Sequence, residues 1–361
     1  MDRHDLPETV NAEHVARIHQ EDLKVEKEFG CRGLTYWFDE RRKTAFCLIE
    51  APDKGALEAM HNRAHGGIPN SIIEVDPTVV ESFLGRIEDP EAEDEGLNVI
   101  KDPAFKILMV LDIRNCQPKV SENHAVHAGL ESCKETVESL VFRSGGRIVR
   151  SDLYHTLVSF DSALEAVRCS LAIRKEFLHN RKKYENDLDL RIGISCGVPF
   201  GRHEGLFEKA VHEAGRYCKV VNGDIVVSSE VNDLFRKETT DASILKKHIR
   251  SLSPLEEDFV EDLMDFMENT WARPDLKVDD FSSNLGLSKS QLYRKLKAVT
   301  NSSLNEFLKK YRLERALESL RKHQGNISEI AFDSGFNSPA YFSKCFYSAF
   351  GVLPSQLLRS T

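Results

Sequence analysis

The chain has 361 residues, of which 41% are hydrophobic and 30% charged, and a formal net charge of −9. That length allows two or three domains with cores of their own, and no apolar run approaches the ~20 residues of a membrane span. Charge is uneven: from Lys277 to Thr361 there are 13 Lys or Arg against 7 Asp or Glu, about +6, so the remainder carries about −15. A basic end on an acidic body predicts a polyanion-binding module on a carrier that does not itself bind polyanions. The opening "MDRHDLPETV" lacks the apolar core of a signal peptide, and the eight cysteines form no CxxC pair. A cytoplasmic protein with buried, reduced thiols is expected.

In chain order, residues 11–28 have helical character, "LTYWFD" and "TAFCLIE" pattern as paired strands, residues 53–65 form a second helix, and "SIIEV" closes a sheet. The order αββαβ is that of a ferredoxin-like sandwich lacking its first strand. His61 and His65 stand at i, i+4 on one helical face, where two imidazoles can share a metal. The acidic "GRIEDPEAEDEG", Gly85 to Gly96, reads as a linker.

The next segment reads β-α-β-β-α-β-α-β, with strands "FKILMVLDI", "RIVR", "TLVSF", "LRIGISCG" and "DIVVSS". Val126, Leu130, Cys133, Val137 and Leu140 make one apolar helical face, and Leu164, Val167 and Leu171 another. Helices on one face of a mainly antiparallel sheet are expected. A second boundary falls near "SLSPLEED".

Beyond it no strand pattern occurs. Helices are predicted at about 255–271, 277–285, 289–299, 303–321, 327–334 and 338–350. In "VDDFSSNLGLSKSQLYRKLKAVT", Phe281 and Leu285 face inward, Gly286 turns, and Ser288 caps the next helix. There Leu292 and Leu296 point in, while Lys289, Ser290, Gln291, Tyr293, Arg294 and Lys297 point out. "NISEIAFDSGFNSPAYFSKCFYSAFG" repeats the unit: Ile327, Ile330 and Ala331, a turn at Gly335, then Asn337 and Ser338 leading into a helix with Phe342 and Phe346 inward. Tyr341, Ser343, Lys344 and Tyr347 point out. These outward residue types bond to base edges and phosphates. The helix between the units is roughly 28 Å long, against roughly 34 Å between successive major-groove faces, so both units can address one duplex.

"LSKSQLYRKLKAVTNSSLNEFLKKYRLERA" and "GFNSPAYFSKCFYSAFGVLPSQ" resemble the AraC/XylS family of transcription regulators over about 100 residues. The resemblance implies sequence-specific, promoter-proximal binding to double-stranded DNA and, for an activator, contact with RNA polymerase. "FKILMVLDIRNC", "GGRIVRSDLYHTLVSF", "LRIGISCGVPFG" and "AVHEAGRYCKVVNGDIVVS" resemble class III adenylate/guanylate cyclase domains, whose chemistry needs two carboxylates holding two metal ions. Asp112 matches the first carboxylate. The second falls on Tyr154, with Asp152 two residues early. The family's Asn becomes His212, its Arg is kept as Arg216, and its base-reading Lys falls on Arg150. The resemblance thus implies a catalytically degenerate, cyclase-like sensor or dimerisation module that pairs two DNA-binding ends in a homodimer.

"HDLPETVNAEHVARIHQEDL", "YWFDERRKTAFCLIEAPDK" and "MHNRAHGGIPNSIIEV" resemble a small family of ferredoxin-like domains, some nickel-binding. Its first strand is expected ahead of His4, so the chain starts at or inside that strand. His4, His19, Cys47, His61 and His65 match its polar positions and suit Ni or Zn; the alternative is ordinary surface or partly buried histidines.

The expectation is a multidomain α+β chain with two ferredoxin-like α/β sandwiches followed by an all-α double helix-turn-helix domain. Residues 1–84 are the metal-binding or sensor domain, 85–103 an acidic linker, 104–236 the cyclase-like domain, 237–254 a linker and 255–361 the DNA-binding domain. The function expected is a DNA-binding transcription regulator, not an enzyme, whose first two domains sense a ligand or metal or dimerise. The alternative is an active nucleotide cyclase with a DNA-binding tail.

Overall fold

The computed structural model describes residues 1–91, 97–115, 123–180, 188–201, 205–239 and 248–360. The first unit comprises β1 (Asp2–Asp5), α1 (Ala12–Val25), β2 (Arg32–Asp39), β3 (Thr44–Glu50), α2 (Lys54–Ala64), β4 (Ser71–Ile72) and α3 (Pro77–Leu84). The sheet order is β2-β3-β1-β4, every pair antiparallel. The strand expected ahead of His4 is therefore within the chain: β1 contains His4 and pairs with both β3 and β4. Four residues at a terminus are too few to show alternation, which is why the sequence pattern missed it.

The two faces of this sheet are buried differently, as strand alternation requires. Tyr36, Phe38, Ala45 and Cys47 pack with Val15 and Ala16 of α1. Trp37, Phe46 and Leu48 face the other way, onto α3 and onto Leu108, Leu157, Phe200 and Phe207 of the second unit. The stretch after α3 packs back on β2. The Arg86 guanidinium lies over the Trp37 ring at 4.6 Å and donates to the Tyr36 carbonyl at 2.6 Å.

The second unit comprises β5 (Lys106–Asn115), α4 (Asn123–Arg143), β6 (Arg147–Ser151), β7 (His155–Phe160), α5 (Ala163–His179), β8 (Leu188–Gly197), α6 (Glu208–Val220), β9 (Ile225–Val227), α7 (Ser229–Glu238) and β10 (Ile249–Ser251). Its sheet runs β10-β9-β8-β5-β7-β6. The β8–β9 and β9–β10 pairs are parallel and the others antiparallel. Ile107, Met109, Leu111 and Ile113 of β5 point to a core with α4, α5 and α7; Leu108 points to the first unit. α6 crosses the second face so closely that a Cβ at Gly193 would stand 2.0 Å from the Ala214 carbonyl oxygen. β10 lies in the stretch expected to be linker.

The remaining elements are helical: α8 (Pro254–Thr270), α9 (Val278–Asn284), α10 (Lys289–Thr300), α11 (Leu304–Arg321), α12 (Ile327–Asp333), α13 (Pro339–Phe350) and α14 (Pro354–Ser360). α14 is additional to the predicted helices. Two cores divide them. Phe281, Leu292, Leu296 and Leu308 share a core with α8 and with Tyr217, Val220 and Val226 of the second unit. Leu313, Leu320, Ile330, Phe342 and Phe346 form the other. α11 contributes to both. Among the described residues no helix is long and apolar enough to cross a membrane.

Candidate DNA interface and metal centre

α9–α10 and α12–α13 are two copies of one construction. The turns need left-handed backbone, supplied by Gly286 at φ 62° and Gly335 at φ 75°. Ser288 accepts the Gln291 N–H and Ser338 the Tyr341 N–H, so each second helix starts on a hydroxyl cap. Leu292, Leu296, Phe342 and Phe346 are buried. α11 spans 18 residues, about 27 Å.

The outward residues divide by what they already contact. Tyr293, Tyr341 and Tyr347 are 61%, 56% and 55% exposed. Arg294, Asn337 and Lys344 are exposed and Ser343 half-buried; these four have no hydrogen bond or ion pair among the described residues. The rest are engaged within the protein. The Gln291 side chain accepts the Ser288 N–H at 2.9 Å, closing a capping box, and Ser290 Oγ lies 3.1 Å from Ser288 Oγ. Lys289 Nζ pairs with Asp279 at 2.5 Å, and Lys297 Nζ donates to the Asn301 carbonyl at 2.8 Å. Ser338 is spent on its cap. Gln291 and Ser338, expected at the bases, thus first serve to start their helices.

In the first unit the histidines gather as their spacing suggested, with partners the sequence did not reveal. His61 Nε2 lies 2.7 Å from Asp2, and His61 Nδ1 lies 3.0 Å from Asp22 and 3.1 Å from His65 Nε2. His65 Nε2 is 3.3 Å from Asp22, and His4 Nε2 is 3.7 Å from Asp2. Asp22, His61 and His65 make one group and Asp2, His4 and Cys47 another, each offering donor atoms within 4.8 Å of one another. His19 belongs to neither: its Nε2 is 3.0 Å from Asp89, its ring is against Tyr36, and the post-α3 stretch holds it there.

Burial alone would raise the Asp2 carboxyl, but hydrogen bonds from His4 and His61 hold it well below its ordinary value. Burial alone would likewise lower the His61 pKa, and Asp2 and Asp22 outweigh it, raising it to about 9. His61 without metal is therefore an imidazolium between two carboxylates. Burial, with Asp2 and Asp22, pushes the Cys47 thiol well above its ordinary value, which makes it the poorest donor of the set. Imidazole and carboxylate in this mix suit Ni or Zn better than Mg or Ca. Asp22, His61 and His65 would hold such an ion, which would displace the His61 proton on binding.

In the second unit, Asp112 is 5% exposed on β5, with His155 Nε2 at 3.6 Å. Asp152 is engaged in its own turn, accepting the Tyr154 and His155 N–H groups at 2.8 Å each. Tyr154 lies under Arg321 of α11, 5.3 Å from ring centre to guanidinium. Arg216, 3% exposed, points to α8. It pairs there with Glu261, with Asp265 at 2.5 Å and with Glu268 at 3.0 Å. His212 lies 3.8 Å from Glu268. Arg216 thus ties the second unit to the helical one.

A paired helix-turn-helix with outward arginine, lysine and tyrosine defines a DNA-binding protein. Comparison with known proteins agrees. A profile described as "Helix-turn-helix domain" matches residues 281–360, and one described as "Nickel responsive protein SCO4226-like" matches residues 1–75. Histidine kinase P4 of Formosa agariphila is 40% identical over 114 residues, 30% of this chain and 8% of that protein. Probable transcription factor PqrA of Proteus vulgaris is 32% identical over 101 residues, 28% of this chain and 83% of that protein. Among solved structures, an adenylate/guanylate cyclase/hydrolase from Silicibacter pomeroyi is similar at TM-score 0.32 and 21% identity, covering 38% of this chain and 82% of that one. Through its C-terminal helices the chain belongs to the AraC/XylS family of transcription regulators. The chain spans less than two thirds of the length of several of the curated relatives it matches, 8% of the histidine kinase among them.

Proposed function

We propose that the whole chain is a one-component regulator of the cytoplasm, in which residues 1–84 and 104–236 sense and residues 255–361 read DNA. Both front units are taken as ferredoxin-like sandwiches, supported in the first by the β2-β3-β1-β4 antiparallel order. The observation that carries the reading is the pair of capped helices α10 and α13, whose Arg294 and Lys344 are exposed and unengaged among the described residues. Sensing is supported by two features: the buried His61 cluster, which suits nickel or zinc, and the Arg216 contact with α8, through which the second unit can bias the helices. A homodimer through the second unit would present two DNA-binding ends, and an activator would also meet RNA polymerase. Nucleotide cyclisation is disfavoured, because Asp152 is held in its turn and Arg216 is held by α8.

Selection of bound fragments from genomic DNA by the purified full chain tests the reading. A short list of sites sharing one motif is expected, with loss of that preference in the Arg294→Ala/Lys344→Ala double variant. Specific binding that survives the double variant would refute it.

A further inference from the structure

A cavity of about 900 Å³ lies where the second unit meets α11. Its floor is β5 and the β6–β7 hairpin, with Asp112, Arg150 and Tyr154. Its side is α6 and its roof α11, with Lys309, Leu313 and Arg321. The volume is within the range of small-molecule sites. Its walls come from three stretches far apart in sequence, and one of them is the helix that joins both DNA-reading units.

The chemistry of the lining is uneven. Several charges are already matched: Arg191 with Asp189, Arg315 with Glu318, Arg216 with Glu268. Four cations are not. Arg150, Lys219 and Lys309 have no hydrogen bond or ion pair among the described residues, and Arg321 rests on the face of Tyr154. Like charges around one concavity repel, and a bound anion relieves that repulsion. Between them lie Val110, Leu157, Val211, Leu313 and Leu317, an apolar surface that a simple inorganic anion would leave uncovered.

We infer that this cavity is the effector site, and that it takes a small organic phosphate, held by Arg150 and Lys219 from the second unit and by Lys309 and Arg321 from α11. The inference rests on the regulator reading above and goes further, because it names the place and the chemical class of the effector. A phosphate bridging the two walls pulls α11 toward the floor, and α11 carries α10 on one side and α12–α13 on the other. Ligand occupancy and DNA affinity are then linked, each changing the other by the same factor.

The test is calorimetric titration of the full chain, with EDTA present, using ATP, glucose 6-phosphate and inorganic triphosphate as three separate probes. Saturable binding of at least one organic phosphate is expected, one per chain. Arg150→Ala and Arg321→Ala should each weaken it tenfold or more. Because both residues are exposed, neither change should alter the melting temperature of the free protein. Binding by ATP or glucose 6-phosphate identifies which body the apolar walls accept, and triphosphate should bind more weakly than the better of them. Three results overturn the inference: no binding of any probe at 5 mM, binding unchanged in Arg321→Ala, or triphosphate binding as tightly as every organic phosphate. DNA affinity is measured on the same preparation without probe. Loss of phosphate binding with DNA binding intact sinks the effector site alone, whereas absent DNA binding sinks the regulator reading.

Discussion

His61 allows the energetics of the buried cluster to be measured directly. Its ring is 1% exposed, between Asp2 and Asp22. In chelator-treated protein its folded pKa, about 9, exceeds the ordinary 6.5 of the unfolded chain. A raised folded pKa means that the folded state holds the extra proton. The stabilisation is therefore complete below pH 6.5 and is lost as pH rises through about 9. Between pH 6 and 8.5 the loss amounts to about 2 kcal/mol. Other groups move in the same range. The Met1 ammonium, lowered by burial, works in the opposite sense, and buried thiols such as Cys196, raised by burial, add a loss above about pH 8.5. His61→Gln keeps all of these and removes the imidazole, so it is the proper reference. Urea unfolding in EDTA would be followed by fluorescence of Trp37, which is 0% exposed, in a Trp271→Phe background that silences the other of the two tryptophans. The wild type should lose about 2 kcal/mol more than His61→Gln across the window. Parallel stability curves would refute the imidazolium–dicarboxylate account.

Four further outcomes follow from the same geometry. Arg294→Ala should weaken binding to a selected site by about 1–3 kcal/mol, roughly 5- to 150-fold in Kd by fluorescence anisotropy, without changing the melting temperature; unchanged affinity would remove Arg294 from the interface. Arg216→Met leaves three carboxylates of α8 facing one another, partly relieved because Glu261 and Glu268 are 33% and Asp265 66% exposed. The expected cost in thermal unfolding is about 1–3 kcal/mol, below the 3–5 of a fully buried pair, and no cost would mean the contact does not join the units. Gly335→Ala places a Cβ at left-handed φ, 2.9 Å from the Ala272 carbonyl oxygen, and should lose at least about 1–2 kcal/mol by urea titration; a neutral change would show that the turn tolerates an L residue. Protein purified without chelator should carry about one transition metal per chain, absent from His61→Ala/His65→Ala by elemental analysis; metal-free wild type that also refuses added Ni and Zn would leave the cluster as a salt-bridge network.

The sequence was most legible where one period governs one element. The inward placement of Leu292, Leu296, Phe342 and Phe346 followed from helical spacing alone, and the observed helices begin and end within a residue or so of the predicted bounds. It was least legible where an element is short or a residue type is ambiguous. β1 and β10 have four and three residues, too few for a pattern, whereas the short β4 and β9 fell within longer apolar stretches, "SIIEV" and "DIVVSS", that did read as strands. Gln291 is polar and outward, and nothing in its spacing separates a base reader from a cap, yet Ser288-x-x-Gln291 is also the capping-box signature. Asp22 was overlooked because an acidic residue on a helix usually reads as solvated surface. Its position told otherwise: it continues the buried stripe Val15, Ala16, His19 of α1. Asp2 likewise shares a strand face with His4, two residues on.

The cavity lay beyond any local reading, for a physical reason. Asp112, Lys219 and Arg321 belong to separate elements, and only the packing of α6 against β8, then α8 against α6, brings α11 over the hairpin of Tyr154. Each step is visible in a single residue: Gly193 admits α6, Arg216 holds α8, and Arg321 rests on Tyr154. On the other side, Trp37 of the first unit packs with Leu108 of the second sheet. The Arg216 contact with α8, in the lining of the same cavity, is where the second unit and the helices can be uncoupled without touching a candidate DNA residue.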